Sequence, residues 1–352
     1  MIQECIAKVV EREDLTESEA SRSMEEIMTG KATGPQIAAF LTALRMKGES
    51  VEEITAFAST MRQFCHRIHP KVRGTLVDTC GTGGDRVKTF NVSTTAAFVA
   101  SGASVAIAKH GNRSVTSRCG SADILEAFGF NLAMSPEVVE KSIEEIGMGF
   151  MFAPTFHPAM RHALAPRREI GVRTVFNLLG PLTNPAGAEA QLLGVFSERL
   201  TEPLAHVLKK LGVRRAMVVH GVDGLDEIST LGGTKVTSLA DDEIVTAYIT
   251  PEDLGLERAE RRSLEGSSPQ RSVEVTFEIL NNGNPVKDPK VEIVLANAAA
   301  AIFLGCEAES LKEAVAVAQE SIESGAAYKK LRSLIKFSGG DLSKLEELER
   351  HV

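Results

Sequence analysis

The chain is short of positive charge. Its 39 Lys and Arg against 47 Asp and Glu leave a net charge of −8. That excludes a general nucleic-acid binder, which needs a cationic face to neutralise phosphates, although a local basic patch remains compatible with it. Long apolar runs are missing too. The longest, IVLANAAAAIFLG over 293–305, is too short to span a bilayer and suits a packed, alanine-rich helix. The first residues, MIQECIAKVVERED, carry acids and no uninterrupted apolar core, so they do not read as a signal peptide. Cysteine is sparse: Cys5, Cys65, Cys80, Cys119 and Cys306 stand in no metal-like spacing, which points to reduced thiols and a cytoplasmic protein. Cys80 and Cys119 sit inside interesting loops, yet read as small buried thiols rather than nucleophiles. No Ser-His-Asp spacing, glycoside-hydrolase carboxylate pair, internal repeat or low-complexity linker is found. At 352 residues, 43% hydrophobic and 24% charged, the chain is an ordinary globular protein of two domains.

What is present begins with DTCGTGGDRVKTFNVST, 78–94. Leu76 and Val77 read as a buried strand ending at Asp78. Gly81, Gly83 and Gly84 then allow a tight turn and close backbone approach. Asn91, Ser93, Thr94 and Thr95 offer cap chemistry to the helix that follows. Strand, glycine turn and hydroxyl-rich helix start form an anion cradle, since free N–H groups and the helix dipole face the ligand. The stretch is neither GxxxxGK[ST] nor GxGxxG, because Arg86 stands where the third glycine would be.

Three further stretches carry chemistry. KHGNRSVTSRCGSAD, 109–123, follows a strand and gathers Lys109, His110, Arg113 and Arg118 among glycines and hydroxyls, as a basic loop for a polyphosphate would. The stretch 157–185 supplies Arg161, Arg167, Arg168 and Arg173 on one face, suited to a carboxylate, with Met160, Leu164 and Ile170 as core. Its GPLTNP segment reads as a loop because Pro181 and Pro185 deny helix continuation. HGVDGLDEIS, 220–229, clusters Asp223, Asp226 and Glu227, carboxylates that repel unless a cation, most plausibly magnesium, sits between them. Together these describe transfer between two bound substrates, driven by positioning and charge stabilisation.

The chain order supports an α/β fold: a small all-helical N-terminal domain, 1–72, and a larger α/β domain, 73–352, with a mostly parallel central sheet covered by helices. A helical segment near 160–190 would join the first domain. Capping boxes Thr16/Glu19 and Ser50/Glu53 open two of four N-terminal helices, and Pro35 opens another that Gly48 ends. Strands are expected at 75–79, 104–109, 149–153, 190–196 and 216–221, with an antiparallel extension over 227–249 and helix again over 289–350.

GTGGD at 81–85, TFNVST at 89–94, KHGNR and CGSAD within 109–123, RTVFNLLGPLTNPA at 173–186 and HGVDGLDE at 220–227 together resemble the anthranilate phosphoribosyltransferase family of tryptophan biosynthesis. The similarity runs in the same order from about residue 1 to 337, leaving the charged tail 338–352 unplaced. It implies a fold shared with pyrimidine nucleoside phosphorylases. It also implies that Gly81, Gly84 and Asp85 contact phosphoribosyl pyrophosphate, with Thr89, Asn91, Val92, Ser93 and Thr94 around its phosphates. Lys109, His110, Gly111, Asn112, Arg113, Ser114, Val115, Thr116 and Ser117 would form the loop over the pyrophosphate, with Ser121 beyond it. Gly81, Asn112 and Arg167 would meet anthranilate, the arginine pairing with its carboxylate, while His110 and His157 line the aromatic's path. Two magnesium ions are implied, one on Ser93 and Glu227 and one on Asp226 and Glu227. The amine would attack an oxocarbenium-like C1 with inversion, and no acid or base is assigned. The family suggests a homodimer through the helical domain. A nucleoside phosphorylase-like enzyme and a non-catalytic nucleic-acid-binding relative are the alternatives.

Overall fold

The structure, a computed structural model, describes residues 1–84, 87, 89–114, 119–265, 268–281 and 287–351. Seven strands make one sheet: β1 (Leu76–Gly81), β2 (Ala106–Gly111), β3 (Met148–Phe152), β4 (Ala190–Gly194), β5 (Arg215–Gly221), β6 (Thr234–Ala240) and β7 (Glu243–Ile249). Their order is β3-β2-β1-β4-β5-β6-β7. The first five are parallel, whereas β6 and β7 are antiparallel, as the broken rhythm of 227–249 implied. The chain winds outward from β1 to β3, then returns to the other side of β1 with β4. The switch point of this sheet therefore lies between β1 and β4, where open α/β sheets bind ligands at their carboxyl ends.

The sheet alternates side chains between two cores. Leu192, Met217 and Val219 face one core, which is filled by helices Val92–Gly102 and Pro289–Leu304. Leu193, Ala216 and Val218 face the other. That second core is continuous with the helical N-terminus, whose Phe40, Phe57, Met24 and Leu41 belong to it. Four helices form this bundle: Ile2–Val10, Glu17–Met28, Gly34–Lys47 and Val51–Gln63. Both expected capping boxes are made. Thr16 Oγ1 accepts from the Glu19 amide at 3.3 Å and Ser50 Oγ from Glu53 at 3.2 Å. Glu53 is itself buried and answers Lys47 at 2.8 Å and the Leu15 amide at 3.0 Å. Among the described residues no helix is long and apolar enough to cross a membrane.

Three expectations change. Strand β2 takes in Lys109, where the expected strand 104–109 ends, and runs on through His110 and Gly111, paired with Met151 and Phe152, so that the loop starts later than expected. Pro181 lies inside a short helix, Phe176–Leu182, not in a loop. It sits one residue from that helix's end, so few intrahelical bonds are lost. Leu164 is 53% exposed on helix Arg161–Ile170, while Met160 and Ile170 pack at the edge of the second core. Helix Pro269–Leu280 escaped sequence reading, because alternating Val273, Val275 and Phe277 imitate a strand. The tail is docked: helix Ser343–His351 buries Leu345 completely, and the Asp341 amide donates to the Gly129 carbonyl at 2.8 Å.

Candidate active site

Glycines end β1, β2, β4 and β5, at Gly81, Gly111, Gly194 and Gly221. Above the switch point these ends open into a polar cavity of about 270 Å³. The loop after β1 forms its floor and is held from behind. The Thr82 amide donates to the Gly194 carbonyl at 2.9 Å, and the Phe196 amide to Thr82 Oγ1 at 3.0 Å. The Gly83 amide donates to Asp226 Oδ2 at 2.9 Å. Gly194 must be glycine for this arrangement, since a Cβ there would stand 1.7 Å from the Asp226 carbonyl oxygen. Asn91 caps helix Val92–Gly102 by accepting from the Thr94 amide at 3.2 Å, which aims that helix's N-terminus into the cavity. Thr94 Oγ1 is buried there without a hydrogen-bond partner.

Lys109 is only 3% exposed. Its Nζ donates to the Thr79 carbonyl at 2.6 Å and to Ser93 Oγ at 3.0 Å. Burial pulls its pKa down, opposed by the charges of Asp78, Cys80 and Glu227. A buried cation pinned to the helix start is a fixed charge rather than a swinging arm. Gly81, Gly84, Thr89, Asn91, Val92, Ser93, Thr94, Lys109, His110, Gly111, Asn112 and Ser121 all line this cavity, as do Asp226 and Glu227. Arg113 does not: it reaches Glu126 at 2.6 Å and Asp123 at 3.2 Å on the following helix. The Ser114 amide likewise turns to Asp123, at 2.9 Å. Asp85, Val115, Thr116 and Ser117, with Arg118, lie outside the described residues. Ser268 and Ser272, from the unforeseen helix, complete the lining. The Ser268-Pro269 pair was the available start signal.

A second cavity, about 340 Å³ and more apolar, adjoins the first. Both share Cys80, Gly81, His110, Gly111 and Asn112 as a common wall. Its far side is Met61, Pro158, Leu164 and Arg167 with Phe176. The Arg167 guanidinium lies 5.0 Å from the Phe176 ring centre, and burial pulls its pKa down. Among the described residues no carboxylate stands within ion-pair distance of it. The His110 and His157 rings lie 5.0 Å apart, tilted at 45°, and among the described residues each leaves Nε2 buried and unpartnered. Burial lowers them to about 3 and about 4, so both are neutral near pH 7.

The four arginines of this stretch do not share a face. Arg161 turns to His162 at 3.3 Å and lines the cavity mouth, while Arg168 is exposed. Arg173 leaves the helix altogether and reaches the glycine loop. The acidic cluster also thins to two. Asp223 accepts from Ser229 Oγ at 2.5 Å and from the Leu225 amide at 3.1 Å, closing its own turn. Asp226 and Glu227 remain at the cavity. Burial pushes the Asp226 carboxyl above the usual carboxylate range. Among the described residues no three His, Cys, Asp or Glu side chains gather as metal ligands. The oxygen-only set of Ser93, Asp226 and Glu227 fits magnesium, which takes one or two carboxylates and completes its shell with water and substrate phosphate. Cys80 and Cys119 are half-buried rather than buried, and desolvation raises both thiols, Cys119 to about 11.

The helical bundle and the switch-point sheet that carries the two cavities are each matched by a glycosyl transferase family model. The glycosyl transferase family's a/b domain model matches residues 73–328, and its helical bundle domain model matches residues 3–65. Anthranilate phosphoribosyltransferase of Methanocorpusculum labreanum is 52% identical over 340 residues, 97% of this chain and 99% of that protein. The enzyme of Moorella thermoacetica is 52% identical over 338 residues, 95% of this chain and 98% of its own length. The crystal structure of anthranilate phosphoribosyltransferase from Thermus thermophilus superposes with a TM-score of 0.89 at 43% identity, covering 95% of this chain and 99% of that one. The Saccharomyces cerevisiae enzyme in complex with PRPP and Mg gives 0.88 at 28% identity, covering 96% and 98%. The chain belongs to the anthranilate phosphoribosyltransferase family.

Proposed function

We propose that this chain transfers the phosphoribosyl group of 5-phosphoribosyl 1-pyrophosphate to the amine of anthranilate, releasing pyrophosphate. The observation that carries the reading is the shared wall: a polar cavity built for phosphates meets, at Gly81 and His110–Asn112, an apolar one that holds the Arg167 guanidinium with no carboxylate partner among the described residues. The donor lies in the first cavity. Its phosphates take the N–H groups at the start of helix Val92–Gly102, the hydroxyls of Thr89, Ser93 and Thr94, and the fixed charge of Lys109. Asp85, Val115, Thr116 and Ser117 belong to the same proposed contacts.

Anthranilate lies in the second cavity, its carboxylate on Arg167 and its amine toward the wall. Gly81 and Asn112, which line both cavities, then flank the amine and ribose C1. The amine meets C1 on the side away from pyrophosphate, which inverts the centre. An aryl amine is already a fair nucleophile, and no side chain is assigned as base. Two magnesium ions, held by Ser93 with Glu227 and by Asp226 with Glu227, would supply positive charge to the departing pyrophosphate. Alignment and preorganised charge provide most of the rate. A homodimer through the helical bundle is part of the proposal; Val10 and Met46 leave 61% and 73% exposed apolar side chains there. The test is the loss of anthranilate fluorescence on adding phosphoribosyl pyrophosphate and magnesium. No loss at enzyme concentrations that saturate with donor would overturn the reading.

A further inference from the structure

We propose that Arg173 is a positioning residue for the sugar-phosphate donor, acting from behind the glycine loop. This rests on the reading of the polar cavity as the donor site. Arg173 lies two residues beyond Gly171, which ends helix Arg161–Ile170 at φ 68°. It lines neither cavity. Its guanidinium sits over the Phe196 ring at 4.6 Å, and its Nη2 donates to the Gly84 carbonyl at 2.6 Å. Among the described residues no carboxylate stands within 4 Å of it, although its charge also acts on Asp226, and the hydrogen bond it makes is to the Gly84 carbonyl.

The loop is thereby gripped at both poles of its backbone. A carboxylate, Asp226, holds the Gly83 amide, and a guanidinium holds the Gly84 carbonyl. Phe196, the platform under Arg173, closes the bracket by donating its own amide to Thr82 Oγ1 at 3.0 Å. Gly83 and Gly84 have φ of 67° and 84°, and consecutive glycine peptides reorient at little cost unless tied. A Cβ on Gly84 would stand 1.7 Å from Arg173 Nη2, so the contact requires glycine there. The bond keeps the Gly84 carbonyl on Arg173. Released, that peptide can turn its negative end toward the cavity, where it opposes a phosphate.

Arg173 therefore sets donor affinity and leaves acceptor affinity alone. Calorimetric titration with phosphoribosyl pyrophosphate and magnesium, and fluorescence titration with anthranilate, separate the two. In Arg173→Ala the donor Kd should rise roughly tenfold to a hundredfold, the worth of one hydrogen bond from a charged group. The anthranilate Kd should stay within about twofold, and millimolar guanidinium chloride should recover donor binding. Should Arg173→Ala not fold, Arg173→Met keeps an apolar stem over Phe196 and carries the same expectation. A donor Kd unchanged in the variant, a parallel rise in both constants, or no recovery with guanidinium overturns the proposal. Wild-type protein that binds donor yet turns over no anthranilate would strike the proposed reaction instead, leaving the Arg173 comparison intact.

Discussion

Arg167 is the sharpest place to perturb acceptor recognition. Its guanidinium is brought into an apolar cavity on Phe176, loses water enough to lower its pKa, and meets no carboxylate of the described protein. Desolvating a charge without a partner is costly, so the site is set to gain from a bound carboxylate. A hydrogen bond to a charged group contributes about 1.5–3 kcal/mol net, or roughly a tenfold to hundredfold change in affinity. In Arg167→Ala the anthranilate carboxylate would enter the same dry cavity unpaired, which pushes the loss toward the upper end. The stacking on Phe176 that also disappears is worth about 2 kcal/mol at a desolvated site, a cost read in stability rather than in KM. The KM for anthranilate should therefore rise by about a hundredfold, while that for phosphoribosyl pyrophosphate stays within about twofold. Initial rates of fluorescence loss, with each substrate varied at saturating levels of the other, measure both. Arg167→Lys should fall between, keeping the charge and losing the planar fork. Equal rises in the two constants would refute the reasoning, because Arg167 lines only the acceptor cavity.

Other consequences are open to measurement. Asp226→Asn combined with Glu227→Gln should remove the response of turnover to added magnesium; an unchanged magnesium profile would deny these residues the metal. His110 and His157 are held neutral, at about 3 and about 4, against 6.5 in the unfolded chain. The unfolded state then binds more protons between about pH 4 and 6.5, so stability rises with pH across that window and is lost on acidification. Each histidine contributes a slope of up to about 1.4 kcal/mol per pH unit, which His157→Gln should reduce in urea unfolding at pH 5 and pH 7. A slope identical to wild type would contradict the burial argument. Leu345→Ala should cost about 2–4 kcal/mol by opening a cavity where the tail docks, read as a fall in Tm. An unmoved Tm would mean the tail adds no stability.

Much of this was legible because local chemistry and tertiary packing agree. Thr16, Ser50 and Asn91 cap the helices that their spacing implies, and a central strand does precede the glycine turn, although it runs past Asp78 to Gly81. The misses share a cause, which is that burial and pairing depend on partners distant in sequence. Lys109 reads as a cation free to meet a polyphosphate, yet it is buried and tied to Thr79, thirty positions away. Arg113 reads as a phosphate ligand, yet its guanidinium is taken by Asp123 and Glu126. Arg173 reads as one of four arginines on a face, but a turn at Gly171 carries it to Gly84, 89 positions earlier. Ser268 and Ser272 gave little warning, since their helix carries a strand-like alternation.

The two cavities also explain why the helical N-terminus and the sheet share one core. Phosphates can be gripped by strand ends alone, since glycine turns and a helix start supply donors wherever parallel strands finish. An aromatic acid cannot, because it needs an apolar wall with one buried cation, and strand ends offer backbone. Here Met61 of the bundle and Leu164, Arg167 and Phe176 of the helices packed on it build that wall. The wall is placed against the polar cavity by Leu193 and Val218 of the sheet, which lie in the same core as Phe57 and Leu179. Loosening that core should thus misplace anthranilate before it disturbs the donor. A large-to-small change such as Phe57→Leu, which lines neither cavity but lies one helical turn from Met61, should raise the KM for anthranilate more than the KM for phosphoribosyl pyrophosphate. An equal rise in both would mean that the bundle supports the sheet as a whole and not the acceptor wall in particular.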